Sequence, residues 1–86
     1  MFDQHQRRQW VRQHLVRLGF VSAYETTAVV LLKHPDHPRV LVRMGNTRIV
    51  AEVDGVECYR SPLSDFDPDR LWQLLDDSGG FESANT

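Results

Sequence analysis

Asp54-Gly55 sits between two runs of β-branched and aliphatic residues, and it constrains the fold more than any other dipeptide in the chain. A two-residue hairpin turn needs positive φ at both central positions, which Asp tolerates and Gly adopts freely. It joins a strand predicted over residues 47–53 (Thr-Arg-Ile-Val-Ala-Glu-Val) to one over 56–60 (Val-Glu-Cys-Tyr-Arg). Upstream, Gly45-Asn46 predicts a second tight turn, which joins residues 39–44 to 47–53. Pro35-Asp36-His37-Pro38 predicts a third, joining 27–34 to 39–44, because two prolines fix φ and withhold ladder donors. Four strands linked by three short turns make an antiparallel meander.

A helix is expected on either side of this sheet. Over residues 4–18, Val11, Leu15 and Leu18 recur on one face, with His14 and Trp10 beside them. Gly19 is placed as the left-handed stop, and Phe20 then packs back on Leu15. At the other end Asp67 caps a second helix, Pro68 fits its first position and Asp69 favours the positive end of the dipole. Phe66 and Leu71 have the spacing of a hydrophobic staple, and Leu71, Leu74 and Leu75 form the buried stripe. Ser78-Gly79-Gly80 ends this helix, and residues 82–86 read as a frayed tail. The expected fold is a single α+β domain over residues 1–81, in the order α-β-β-β-β-α. Both helices pack on one face of the sheet.

Much chemistry is disfavoured by what the chain holds. One cysteine in 86 residues gives no internal disulfide framework and no cysteine-based zinc cage. No apolar run approaches the length of a membrane span, and Met1 to Arg8 hold no apolar signal core, so a cytoplasmic protein with no membrane partner is expected. There is no phosphate-cradling glycine loop, no GxSxG and no HExxH, and Gly79-Gly80 ends a helix rather than opening one. A non-enzymatic chain without a cofactor is therefore expected. His34-Pro35-Asp36-His37-Pro38 gathers two imidazoles and a carboxylate, but the prolines already explain it as a turn, and metal binding there stays open. Cys58 reads as a buried, inert thiol.

The turns also set a register. With Gly45-Asn46 as a two-residue loop, Val42 faces Ile49 and Leu41 faces Val50. With Asp54-Gly55, Val53 faces Val56, Ala51 faces Cys58 and Val50 faces Tyr59. If the proline turn pairs His34 with Arg39, Leu32 faces Leu41. One sheet face then carries Val29, Leu31, Val40, Val42, Met44, Ile49, Ala51, Val53, Val56 and Cys58, which is the expected core. The other carries Val30 and a row of Leu32, Leu41, Val50 and Tyr59, rimmed by Arg39, Arg43, Arg48, Glu52 and Glu57. An apolar centre with a charged rim is the pattern of a contact surface. A homodimer is the first expectation, with rim arginines meeting rim glutamates across a two-fold axis, and another protein partner is the second.

Two further partners compete with this reading. Residues 1–43 hold seven basic groups against three acidic ones, a net of +4, and residues 44–86 hold three against nine, a net of −6. Arg7, Arg8, Arg12 and Arg17, interleaved with glutamines, suit a nucleic-acid backbone. The nine acids of the second half suit an acidic inhibitor that imitates a phosphate backbone in the groove of a nucleic-acid-handling enzyme. The helix-sheet-helix order resembles the double-stranded-RNA-binding fold and the HicA-type toxin fold. Leu15-Val16-Arg17-Leu18-Gly19-Phe20, followed by a strand ending His34-Pro35-Asp36, is similar to the latter. HicA-type nucleases carry a Gly-Ser-His-type motif on the first strand, whereas Glu25-Thr26-Thr27-Ala28 here has no histidine, so no catalytic site is implied. The RNA-binding fold opens its last helix with lysines, and here Asp65-Phe66-Asp67-Pro68-Asp69 would repel phosphate. The chain is assigned to neither family.

Overall fold

The computed structural model describes residues 4–81. Helix α1 spans Gln4–Arg17 and α2 spans Pro68–Asp77. Between them lie β1 (Val21–Glu25), β2 (Val30–His34), β3 (His37–Met44), β4 (Arg48–Val53) and β5 (Val56–Pro62), with a 3-10 turn over Leu63–Asp65 leading into α2. The strands form one antiparallel sheet in the order β1-β2-β3-β4-β5. The architecture is thus a small α+β domain with two helices, but it has five strands where four are expected. The additional strand is β1, whose residues Val-Ser-Ala-Tyr-Glu are all exposed. A strand with neither face buried leaves no alternation of polarity to read. The tail expected to fray, residues 82–86, lies outside the described residues.

The helix ends form as their chemistry dictates. Gly19 adopts φ 101°, and the Phe20 amide donates to the Leu15 carbonyl at 3.1 Å, closing α1 and turning Phe20 into the core. The Asp67 carboxylate accepts from the Arg70 amide at 3.1 Å, with Pro68 at the first helical position. Val11 and Leu15 of α1, Leu71 and Leu75 of α2, and Leu63 and Phe66 between sheet and α2 are buried in one cluster. It also takes in Val30, Leu32, Val40, Val42, Met44, Ile49, Ala51, Val53 and Tyr59.

Of the three turns, one forms as expected and two depart from it. Asp54 (φ 53°) and Gly55 (φ 82°) form the two-residue turn, and Val53 pairs with Val56 as predicted. The Gly45 loop is two residues longer: the Gly45 amide donates to the Arg48 carbonyl at 2.9 Å, and Met44 pairs with Ile49 rather than Thr47. A shift of two preserves the faces, so Leu41 and Val50 still point away from the helices. The proline turn is shorter. Pro35 and Asp36 form it alone, His34 pairs with His37, and Leu32 pairs with Val42 rather than Leu41. The turn, shorter by two, would keep the faces by itself; the bulge between Lys33 and His34 makes the net shift odd and reverses β2, so Val30 and Leu32 enter the core and Leu31 faces outward. In β5, Ala51 pairs with Tyr59 and Glu52 with Glu57, so Cys58 is an extra, bulged residue. The bulge carries Tyr59 round to the core side. Val56, expected in the core, is 70% exposed at the hairpin end.

Candidate interaction surfaces

The uncovered face of the sheet follows from this register. Leu32 (0% exposed) and Tyr59 (7%) are core residues, which corrects the expected row Leu32-Leu41-Val50-Tyr59. The Tyr59 hydroxyl accepts from the Asp67 amide at 3.1 Å and lies 3.1 Å from the Ser61 hydroxyl, so it anchors the entry to α2. On the outer face one cross-strand row runs Tyr24, Leu31, Arg43, Val50, Arg60, and the next runs Val21, Lys33, Leu41, Glu52, Glu57. Apolar and charged side chains alternate along the middle of both rows. The apolar ones, Val21, Tyr24, Leu31, Leu41 and Val50, therefore form a zigzag across four strands. Leu31, Leu41 and Val50 are half-buried, while Val21 and Tyr24 are exposed.

The rim is partly paired within the chain. Arg43 lies 3.4 Å from Glu52, and Arg60 lies 2.7 Å from Glu57, which offsets the repulsion of Glu52 and Glu57 standing directly opposite each other. Arg39 is half-buried, donates through Nε to Asp54 at 2.7 Å and through a terminal nitrogen to the Gly79 carbonyl at 3.1 Å. The Arg39 guanidinium, hydrogen-bonded to Asp54, holds the Asp54 carboxyl below its ordinary pKa. Arg48 and Lys33 are exposed on the outer face, and neither has an ion-pair partner among the described residues.

A second surface lies on the far side of α1. Trp10, Val11, His14, Leu15 and Leu18 turn toward the domain. At 100° per residue the opposite arc carries, in angular order, Arg8, Arg12, Val16, Gln9, Gln13, Gln6 and Arg17. An open cavity of about 520 Å³ separates this arc from the β1–β2 connection and is lined by Arg8, Gln9, Arg12, Glu25, Thr26 and Thr27. Arg8 donates to the Thr27 carbonyl (3.2 Å) and to Asn46 Oδ1 (2.7 Å), both neutral acceptors, while Glu25 acts on its charge from a distance. Arg12 meets Glu25 at 2.7 Å, and its guanidinium holds the Glu25 carboxyl below the ordinary value. Arg17 is exposed, with no ion-pair partner among the described residues. Arg7 lies over the Trp10 ring at 5.0 Å and so belongs to the inner edge, not the arc. Glu25 and the threonines were missed by sequence reasoning because β1 was missed.

The histidine turn is occupied structurally. His34 is buried, its Nε2 donates to the Leu18 carbonyl at 2.8 Å, and its Nδ1 accepts from the Asp36 amide at 3.2 Å. His37 stacks between His34 and Phe81, with ring centroids 4.5 and 4.4 Å away. Among the described residues no three His, Cys, Asp or Glu side chains gather as a metal set. Burial pushes the Cys58 thiol above its ordinary pKa. Among the described residues no helix is long and apolar enough to cross a membrane. The chain matches no family model, no curated protein and no solved structure.

Proposed function

We propose that this chain is a protein-interaction module that self-associates through the uncovered face of its sheet. The observation that carries the proposal is the composition of that face about its central strand. A two-fold axis parallel to the strands, placed at Leu41 of β3, superimposes β2 of one copy on β4 of the other and β1 on β5. Lys33 then meets Glu52 of the second copy, and Leu31 meets Val50. Tyr24 meets Arg60, a pair able to form a cation–π contact, and Leu41 meets itself, while Arg43 meets its own copy and Val21 meets Glu57. Face-to-face sheets pack about 10 Å apart, a gap these side chains fill. An isologous contact needs one patch to complement itself, and the Lys33–Glu52, Leu31–Val50 and Leu41 contacts do so, while each Arg43 is held by Glu52 of its own chain. A domain this small also gains from a partner, because a short chain buries a modest share of its surface.

The oligomeric state by sedimentation across a concentration series tests the proposal. A dimer is expected. Leu41→Asp should convert it to a monomer with an unchanged circular dichroism spectrum, since Leu41 lies outside the core cluster. Lys33→Glu should weaken the dimer and the pair Lys33→Glu with Glu52→Lys should restore it. A wild-type monomer at every concentration, or a dimer indifferent to Lys33→Glu, removes the proposal.

A further inference from the structure

We propose that the exposed arc of α1 binds the major groove of a B-form DNA duplex, on a surface separate from the sheet face. The arc is ordered by charge. Arg8 and Arg12 stand at one margin, Arg17 at the other, and between them lie the amides of Gln9 and Gln13 and the exposed Val16, whose apolar side chain suits a thymine methyl. A helix seated in the major groove, which is about 12 Å wide, has a phosphate backbone on each side and base edges in front. Guanidiniums at the margins reach the phosphates, and glutamine amides at the centre face the edges, where they pair bidentately with adenine. A single strand suits the arc less well. Sequence-tolerant single-strand sites stack bases on aromatic rings, and the arc presents none, Trp10 being turned inward against His14 and Phe66. The deep, narrow major groove of duplex RNA does not admit a helix.

The ion pair beside the cavity sets the strength. Glu25 neutralises Arg12 at 2.7 Å, while Arg8 is bound only to neutral oxygens and Arg17 has no ion-pair partner among the described residues. Two arginines on the arc without a direct ion pair, Arg8 and Arg17, correspond to a salt slope near −1.8, or about a ten-fold loss of affinity between ~50 and ~200 mM salt. Glu25 is therefore a built-in brake on the site.

Fluorescence anisotropy of a short labelled B-DNA duplex, titrated with the whole chain over that salt range, tests this. Arg17→Gln and Arg8→Gln should each flatten the slope by about 1. Glu25→Gln should do the opposite, releasing Arg12, steepening the slope by about 0.9 and tightening binding at low salt. Arg70→Gln, on α2 and off the arc, should change nothing. Thermal unfolding of each variant confirms that the fold is intact, and the opposite signs expected for Arg17→Gln and Glu25→Gln separate the effect from loss of structure. Absence of binding at low salt overturns the proposal. So does a slope unmoved by Arg17→Gln, or equal competition by an RNA duplex, a single strand or polyglutamate.

Discussion

Gly19 and His34 form the tightest residue-level junction in the molecule. A Cβ built on Gly19 would lie 2.5 Å from His34 Nε2, the same nitrogen that donates to the Leu18 carbonyl. Gly19 also holds φ 101°, a region that costs a side chain about 1–2 kcal/mol. Gly55 shares the positive φ (82°) but nothing lies within 4 Å of its added Cβ. Gly55→Ala is therefore expected to cost about 1 kcal/mol of backbone strain alone. Gly19→Ala adds the loss of the buried His34 hydrogen bond, itself about 1–3 kcal/mol. Denaturant midpoints at unchanged slope check the order; equal costs would mean that His34 moves aside freely. Tyr59→Phe tests a second residue. It leaves the Asp67 amide without its acceptor at the entry to α2 and should cost about 1 kcal/mol, whereas a neutral effect would make that hydroxyl dispensable.

Among the elements, β1 depends most on a single ion pair. All five of its residues are exposed, and Arg12 of α1 reaches Glu25 at its end. The folded-state pKa of Glu25 is lowered, so the pair's contribution is present above the ordinary glutamate value and is lost as pH falls through the lower, folded value. The difference in melting temperature between wild type and Glu25→Gln should therefore vanish on acidification; a difference that persists would place the stabilisation elsewhere. The same exposure explains why β1 was not legible in the sequence, whereas the caps of α2 and the Asp54-Gly55 turn were. Those signals are local and chemical. Faces were legible only where errors came in twos: the longer Gly45 loop left Leu41 and Val50 outside, while two bulges, one between Lys33 and His34 and one at Cys58, moved Leu32 and Tyr59 inside. Nothing in the residues around Cys58 marks a bulge, and the contacts Tyr59 gains by it, with the Asp67 amide and the Phe66 ring, are tertiary.

At the scale of the whole molecule, the meander converts sequence order into spatial order. Strands succeed one another from β1 to β5, so the basic first half and the acidic second half of the chain become opposite sides of one sheet. The net charge of −2 therefore conceals a dipole between the basic first strands and the acidic β5 and α2, to which the arginines of α1 add basic charge although α1 also packs on the 3-10 turn that carries Asp65. A polyanion approaching this molecule is repelled by the mean charge but oriented by the dipole, α1 first. Adjacent strands lie about 4.8 Å apart, which puts the two sides roughly 15–20 Å from each other. That separation lies within the Debye length of about 30 Å at 0.01 M salt and beyond the 8 Å at 0.15 M. Replacing Asp76 and Asp77 by asparagine should consequently speed DNA association several-fold near 0.01 M salt and leave it unchanged near 0.15 M. Arg17→Gln, acting by contact, should still weaken binding at the higher concentration. Stopped-flow association rates at both salts distinguish the cases. If the aspartate replacements act equally at high salt, the acids touch the DNA directly, and α1 is not the face presented to it.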